Sequence, residues 1–292
     1  MQLTKQLLVL ALLTAPVLSF AQSPIGGFMQ GKGKGNVVVS YTTESYNKVF
    51  LVPRKVDVVP VFNKVDIQSV SVYATVGLSS KVDLVANVPY IKTKGNASEQ
   101  VLTNLGYSNE RKGIQDLALY IKYNPFNFKV GTGNISLIGA LGIQTPLSDY
   151  KVEESLQSII AIGNKSTQVN SYILAMYKLK CGFFVNGQLG YSLRSTAVPD
   201  AFLSEVKVGY AAKQFYVDVF SATQISTSGV DILKEGFTGS FPATKVNSTR
   251  IGVNVYVPIV KGFGISSGAS SYVYGRNLGQ STGYYGALIY SF

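Results

Sequence analysis

Side chains alternate between apolar and polar with a period of two along most of this chain. In the segment from Arg250 to Val257 (RIGVNVYV), every odd position carries a β-branched apolar residue, and every even position is small, polar or tyrosine. The segments DLALYIKY (116–123) and VDLVANV (82–88) show the same alternation. Because successive side chains of a β-strand point to opposite faces, this pattern predicts strands with two different faces.

The alternation predicts twelve strands, most of them ten residues or longer. Their expected ranges are 36–46, 66–77, 82–93, 114–125, 134–145, 167–179, 183–194, 202–212, 215–226, 247–257, 262–275 and 282–292. Short and long connections alternate along the chain, as they do in outer-membrane barrels, where the short turns are periplasmic. We therefore expect an all-β, transmembrane antiparallel β-barrel of about 12 strands with both termini periplasmic. The alternative is a soluble β-sandwich, which has shorter strands and lacks this rhythm of connections.

The first 21 residues have the pattern of a secretory signal peptide. Lys5 supplies the positive charge, residues 7–18 form a short apolar core, and Ser19-Phe20-Ala21 matches a small-x-small cleavage site. The core is shorter than the roughly 18 apolar residues that a membrane-spanning helix needs. We expect 1–21 to be removed and 22–292 to form a single outer-membrane barrel domain.

The composition argues against an enzyme and against nucleic-acid binding. The chain has no histidine, which removes the usual general base and the commonest metal ligand. We therefore predict no catalytic residues, no metal site and no cofactor. The formal net charge of +11 comes without a basic cluster or recognition motif, so no nucleic-acid partner is expected. Charged residues make up 14%, below the roughly 25% of soluble domains, which suits a wall in contact with lipid.

The same alternation assigns side chains to the inside of the barrel. Apolar residues such as Leu119 and Val255 must face lipid, where Lys or Arg at mid-bilayer costs about 2–4 kcal/mol, so their sequence neighbours face the lumen. The resulting lumen-lining candidates are Asp116, Tyr120, Lys122, Lys178, Arg194, Glu205, Lys207, Asp218, Arg250, Asn254 and Tyr256.

Glu44, Asp83 and Arg276 are also expected to point inward, which makes the lumen nearly neutral. A tight turn at 213–214 would place Lys207 diagonal to Asp218, within reach of a salt bridge. A balanced lumen supports either of two interpretations. It could form a polar track for a solute, or a salt-bridged interior that keeps the barrel rigid.

Two further segments carry expectations of their own. Tyr290 and Phe292 occupy alternate positions of the last strand, and this ending resembles the signal read by the bacterial barrel-assembly machinery. The connection 146–166 contains Leu156, Ile159 and Ile160 at the spacing of one face of a short helix. This segment is expected either to narrow the barrel mouth or to pack outside it. Whether the connections at 94–113, 146–166 and 227–246 plug the lumen stays open.

Three segments resemble a known family. They are Gly77 to Tyr90 (GLSSKVDLVANVPY), Gly113 to Tyr123 (GIQDLALYIKY) and Leu141 to Pro146 (LGIQTP). Together they resemble the outer-membrane barrels grouped as phenol meta-degradation-pathway transporters. The likeness covers residues 66–150 and departs from the family at 145–148, where Pro-Thr-Gly is expected. Phe20-Ala21-Gln22 resembles signal peptides of Bacteroidota.

The resemblance implies the passage of small, often aromatic, molecules. The leading expectation is a passive outer-membrane channel or uptake barrel for small solutes, aromatic or hydrophobic ones included. Its partners would be outer-membrane lipid, the barrel-assembly machinery and a small-molecule solute. The alternative is a non-conducting structural or adhesive barrel that binds a partner through its long loops. A carrier of hydrophobic molecules is a third, weaker hypothesis.

Overall fold

The computed structural model describes residues 25–152 and 155–292. The predicted signal peptide lies outside the described residues, as do Glu153 and Glu154. Within the described part, twelve long strands follow one another. They are β1 (Gly35–Tyr46), β2 (Val65–Gly77), β3 (Val82–Gly95), β4 (Asp116–Val130), β5 (Gly133–Pro146), β6 (Gln168–Leu179), β7 (Phe183–Arg194), β8 (Ala201–Ala211), β9 (Tyr216–Ser226), β10 (Asn247–Val260), β11 (Phe263–Arg276) and β12 (Thr282–Ser291).

Each strand pairs antiparallel with its neighbours in the chain, and the sheet closes on itself. β12 pairs with β1 from Asn36 opposite Ser291 to Ser45 opposite Thr282, which leaves the barrel without an open edge. The predicted antiparallel barrel of about 12 strands is confirmed. Five of the connections are tight turns at one end of the barrel, and the start of β1 and the end of β12 lie at that same end.

The strand ranges agree with the predicted ones to within a few residues, except for β4. The sequence predicts an end at 125, but the strand continues to Val130. The register shifts between Tyr123 and Phe126, where Pro125 cannot donate a ladder hydrogen bond. A bulge absorbs the proline, so the strand resumes and only Gly131 and Thr132 form the turn.

The outer surface is an apolar band. Ile173 and Leu189 are 73% and 69% exposed, although both sit in the middle of regular strands. Aromatic pairs ring the end with the tight turns, including Phe183 with Tyr210 at 4.9 Å between ring centroids. Such a band with an aromatic girdle is the surface that meets a membrane. None of the helices among the described residues is long and apolar enough to cross one.

The other end of the barrel carries the long loops. The loop after β3 contains a two-turn helix, α1 (Glu99–Leu105), which Ser98 caps at its N-terminus and Gly106 at its C-terminus. A short strand, Glu110–Ile114, extends the sheet beside the end of β3. Val49–Phe50, Lys55–Val56 and Leu278–Gly279 form a small separate sheet over this end.

Three of the long loops share one apolar core. Val59, Phe62 and Ile160 are fully buried, and Val65 and Leu102 pack with them; we call these five residues the loop cluster. The predicted helix at 156–160 is wrong in kind, because Gln157–Ile160 forms a 3-10 turn and Leu156 stays exposed. The turn packs against the two neighbouring loops. Contacts with their apolar side chains hold these residues as a 3-10 turn rather than as one face of a longer helix.

Candidate functional site

The inside of the barrel has an apolar side and a polar side. On β3 to β6 the inward residues include Val85, Tyr120, Ile138 and Leu174, and Ile25 from ahead of β1 packs among them. The remaining wall, from β7 round to β2, carries mostly serine, asparagine and charged side chains. Two different surfaces therefore face one lumen.

Residues 25–30, here called the lumen segment, lie inside the barrel. The Phe28 ring packs edge-on against Phe184 at 5.2 Å and Tyr216 at 6.1 Å between centroids. The ammonium of Lys178 lies 5.3 Å from the same ring, which places this predicted lumen residue at the lumen segment. A Cβ at Gly27 would overlap the side chains of Asn186 and Met176, so glycine allows the segment to run close to the wall.

An ion pair on the wall holds the lumen segment. Asp83 and Lys122 are buried, and the ammonium nitrogen of Lys122 lies 3.2 Å from Asp83 Oδ2. Lys122 also donates to the Phe28 carbonyl at 2.7 Å. The Gln30 N–H donates to the Asp83 carboxylate at 3.1 Å. Both charges thus find hydrogen-bond partners in the segment as well as in each other, which offsets the cost of burying them.

Asp116 and Tyr120 are both buried and both engaged in hydrogen bonds. Asp116 accepts from the Tyr150 hydroxyl at 2.6 Å and from Gln144 at 3.0 Å. The Tyr120 hydroxyl accepts from Asn170 at 3.1 Å. These bonds fix the two side chains against the wall near the long-loop end of β4.

Lys207 and Asp218 do not form the predicted salt bridge. The register is as expected, since Gly209 lies opposite Asp218. Lys207 instead pairs with Glu205 on its own strand, at 3.6 Å. Asp218 accepts from the Tyr216 hydroxyl at 2.6 Å and from Asn254 at 2.8 Å. Two short hydrogen bonds occupy the carboxylate, so the more distant lysine turns to another partner.

The two predicted lumen arginines bind across strands at the long-loop end. Arg250 donates to Glu44 at 2.8 Å, from β10 to β1, and its guanidinium lies 4.7 Å from the Tyr272 ring centroid. Arg194 donates to Gln224 at 2.8 Å. These contacts join strands that are not neighbours in the chain and make this part of the lumen rigid.

Arg276 lies at the loop end of β11 and anchors the loop that follows β9. It donates two hydrogen bonds of 2.7 Å to Asp231, and Asn277 donates a third at 3.0 Å. These bonds lower the pKa of Asp231 to about 2, and the hydrogen bonding from Arg276 has the largest effect. In the loop after β5, burial raises the pKa of the Tyr150 hydroxyl.

A cavity of about 860 Å³ runs along the lumen beside the lumen segment. Ile25 and Phe28 form one side of it, and Ser40 and Ser71 lie on the opposite wall. Its lining includes Asp116 near the long loops. At the other end the lining reaches residues 211–212 and 291 beside the tight turns, and it includes Tyr256, Asn254, Lys207 and Asp218. The cavity thus extends over most of the barrel height and offers both polar and apolar contacts.

Tyr290 and Phe292 lie on the outer face, 43% and 52% exposed. Phe292 exchanges two main-chain hydrogen bonds of 3.0 Å with Gly35. No cluster of three or more His, Cys, Asp or Glu side chains that could hold a metal occurs in the residues the structure describes. The role of Tyr290 and Phe292 in assembly stays a prediction.

Solved structures share this architecture. An outer membrane channel from Pseudomonas putida F1 superposes with a TM-score of 0.73 at 11% identity, over 93% of this chain and 100% of that one. The fold is that of an outer-membrane β-barrel. The KdgM porin, solved in complex with disordered oligogalacturonate, gives a TM-score of 0.50 at 8% identity, over 87% and 99% of the two chains. No protein-family model and no curated protein matches the sequence, so the family resemblance stays a prediction.

The sequence did not predict the lumen segment. Its residues show neither strand nor helix periodicity, and the glycines around it suggest a loop. The only indication is local: Ile25, Phe28 and Met29 are apolar residues between the predicted signal peptide and β1, where a solvated linker would be polar.

Proposed function

We propose that this protein is a passive outer-membrane channel that admits small solutes along the cavity beside its lumen segment. The observation that carries this proposal is the cavity of about 860 Å³, whose lining extends from the long-loop end to the tight-turn end of the barrel. A barrel built only as a structural wall would gain stability by filling that volume with side chains, because unfilled space forfeits packing contacts.

The chemistry of the cavity supports solutes with both polar and apolar parts. Ser40, Ser71 and Asn87 offer hydroxyl and amide groups along one wall. Ile25 and Phe28 of the lumen segment offer apolar contact on the other side. Small molecules with an aromatic or aliphatic part and a few polar groups fit this pairing, and we propose them as the solute class.

The orientation is part of the proposal. Tight turns at one end and long loops at the other match barrels whose short turns are periplasmic. On this basis we propose that the first residue of β1 and the last residue of β12 lie on the periplasmic side. The solute would enter between the long loops and leave beside the lumen segment.

Planar-bilayer recording of the purified barrel tests the proposal. We expect single-channel steps of small conductance, because the lumen segment occupies part of the cross-section. The absence of steps in both the full chain and a variant lacking residues 25–30 would overturn the proposal. That result would favour a non-conducting structural or adhesive barrel acting through its long loops.

A further inference from the structure

A row of inward side chains crosses five strands in the loop-side half of the lumen. Gln188 on β7 lies opposite Glu205 on β8, and Glu205 lies opposite Ala222 on β9. Ala222 in turn lies opposite Arg250 on β10, which pairs with Tyr272 on β11. Four of these five side chains are long. The methyl group of Ala222 therefore leaves a gap in the middle of the row.

That gap is the centre of a second cavity, of about 240 Å³. The rest of the row lines it, and Tyr172 closes it on the β6 side. Ligand cavities usually measure about 300–1,000 Å³, so this one suits a solute smaller than a drug-sized molecule. None of its lining residues belongs to the lumen segment. Two of them, Tyr172 and Leu203, pack in the same apolar cluster as Ile25, so the cavity lies beside that segment.

The cavity contains a buried polar atom with no partner. Gln188 is 4% exposed, and its side-chain carbonyl oxygen accepts no hydrogen bond. A buried carbonyl without a donor is unfavourable, so such atoms are uncommon and call for a ligand or water. The amide sits beside Glu205, a carboxylate 2% exposed. Together they present a strong acceptor next to a group that both donates and accepts.

The charges around the cavity are balanced. Glu205 has Lys207 at 3.6 Å, and Arg250 has Glu44 at 2.8 Å. An additional ion would therefore meet no net opposite charge and would lose its hydration on entry. A neutral solute avoids that cost. The rings of Tyr172 and Tyr272 add flat apolar surfaces on two sides.

From this arrangement we infer a binding site for a neutral, hydroxyl-rich solute the size of one sugar ring, centred on Ala222. Each hydroxyl of such a solute both donates and accepts. One can donate to Glu205 and another to the Gln188 carbonyl, while ring carbons pack on the tyrosines. The inference rests on the proposed function and deepens it by adding, next to the large cavity, a second site that binds a neutral, hydroxyl-rich solute.

Saturation-transfer NMR on the full barrel, in a detergent without a sugar headgroup, tests the site with glucose as the probe. We expect a glucose signal, with a dissociation constant raised at least about ten-fold by Glu205→Gln, which keeps the shape but removes the charge. Ala222→Leu fills the gap and should abolish the signal. Ser221→Ala, at the exposed neighbour of Ala222 and outside the lining of both cavities, should leave the signal unchanged. Heat-modifiable migration on gels verifies that every variant folds.

Three results would overturn the inference. One is the absence of a glucose signal, the second is a signal unchanged in Ala222→Leu, and the third is binding of choline or benzoate in preference to glucose at the Ala222 gap. Bilayer conductance measured on the same preparation distinguishes failure of the binding site from failure of the proposed channel function. A conducting barrel without a glucose signal contradicts only the site. A non-conducting barrel with an Ala222-dependent signal contradicts only the channel.

Discussion

Asp83 and Lys122 lie directly opposite each other on β3 and β4, and each of them also bonds to the main chain of the lumen segment. The pair is part of the barrel wall and, at the same time, the anchor of what lies inside it. Removing one partner would leave the other charge buried, at about 3–5 kcal/mol. The two residues must therefore be changed together to test the anchor without damaging the wall.

The double variant Asp83→Asn/Lys122→Met should loosen the lumen segment in a folded barrel. It removes the salt bridge and the charged partners of Phe28 and Gln30, and hydrogen bonds to charged groups contribute about 1.5–3 kcal/mol each. We expect faster hydrogen exchange at 25–34 and larger conductance steps. The matched control Lys92→Met/Glu110→Gln removes an ion pair of 2.7 Å between β3 and the short strand beside its long-loop end. Equal exchange in the two variants would show that other contacts hold the segment.

Neighbouring residues of β10 test which face meets lipid. Val255 is 41% exposed on the outer face, whereas Tyr256 lines the large cavity. Val255→Arg should cost about 2–4 kcal/mol, because the charge enters hydrocarbon. Tyr256→Arg places the same side chain in the lumen and should cost less. Urea unfolding in lipid vesicles compares them, and a larger loss for Tyr256→Arg would reverse the assignment of faces.

The sequence predicts the wall well because the surroundings impose it. Lipid outside and a polar lumen inside require apolar residues such as Ile251 to alternate with polar ones such as Asn254. That alternation predicts both the strands and their register. The contacts inside are different. Lys207 pairs with Glu205 and not with Asp218. The Asp218 carboxylate already accepts hydrogen bonds from Tyr216 and Asn254, and no local sequence pattern indicates that competition.

The lumen segment and the loop cluster escape prediction for the same reason. Phe28 gains its partners from β7 and β9, more than a hundred residues away. Ile160 gains its partners from two other loops. The spacing of Leu156, Ile159 and Ile160 indicates apolar contact correctly, but the neighbours decide that a 3-10 turn supplies it.

Two glycines of β5 should respond very differently to alanine. A Cβ at Gly142 would overlap the Tyr120 ring and the main chain of Leu119, whereas at Gly139 it would meet nothing within 4 Å. Gly142→Ala should lower the free energy of unfolding by about 1–3 kcal/mol, since Tyr120 must leave its position against the strand. Gly139→Ala should change it little. Urea titrations of both variants decide the matter, and equal stabilities would mean that Tyr120 moves aside without cost.

The loop at 227–246 should loosen in acid through Asp231. Arg276 and Asn277 hold the pKa of Asp231 at about 2, below the ordinary value of 3.8. The folded-state pKa is depressed, so this stabilisation is present above about pH 4 and is lost as the pH falls through about 2. Asp231→Asn should remove this pH dependence and expose the loop to acid-active protease even at pH 5.

Asp57→Asn is the matched control, because Asp57 pairs with Lys48 while 75% exposed and should affect the loops little. Cleavage of the loop at 227–246 is followed from pH 2 to 7 in both variants. If Asp231→Asn resisted cleavage as well as the unaltered chain at pH 5, the Arg276 bonds would not be what holds this loop.

The loop cluster should restrict entry at the long-loop end of the large cavity. Ile67 lines that cavity and also packs against the cluster, and the Tyr46 hydroxyl at the end of β1 donates to the Ile159 carbonyl at 3.3 Å. Ile160 is fully buried, so Ile160→Ala should destabilise the packing of the three loops by about 2–5 kcal/mol. Leu156→Ala, at a side chain 37% exposed, is the control.

Deleting residues 152–163 removes the whole contribution of this loop to the cluster, because it takes away Ile159 and Ile160 and the bond to Tyr46. We expect single-channel conductance to rise, since the long-loop end of the cavity then opens between the two remaining loops. Ile160→Ala should give a smaller rise with frequent returns to the original level, as the loosened loops open and close. Leu156→Ala should match the unaltered barrel. Unchanged conductance in a heat-modifiable deletion variant would mean that the narrowest point lies deeper, at the lumen segment, and that the cluster serves only to pack the loops together.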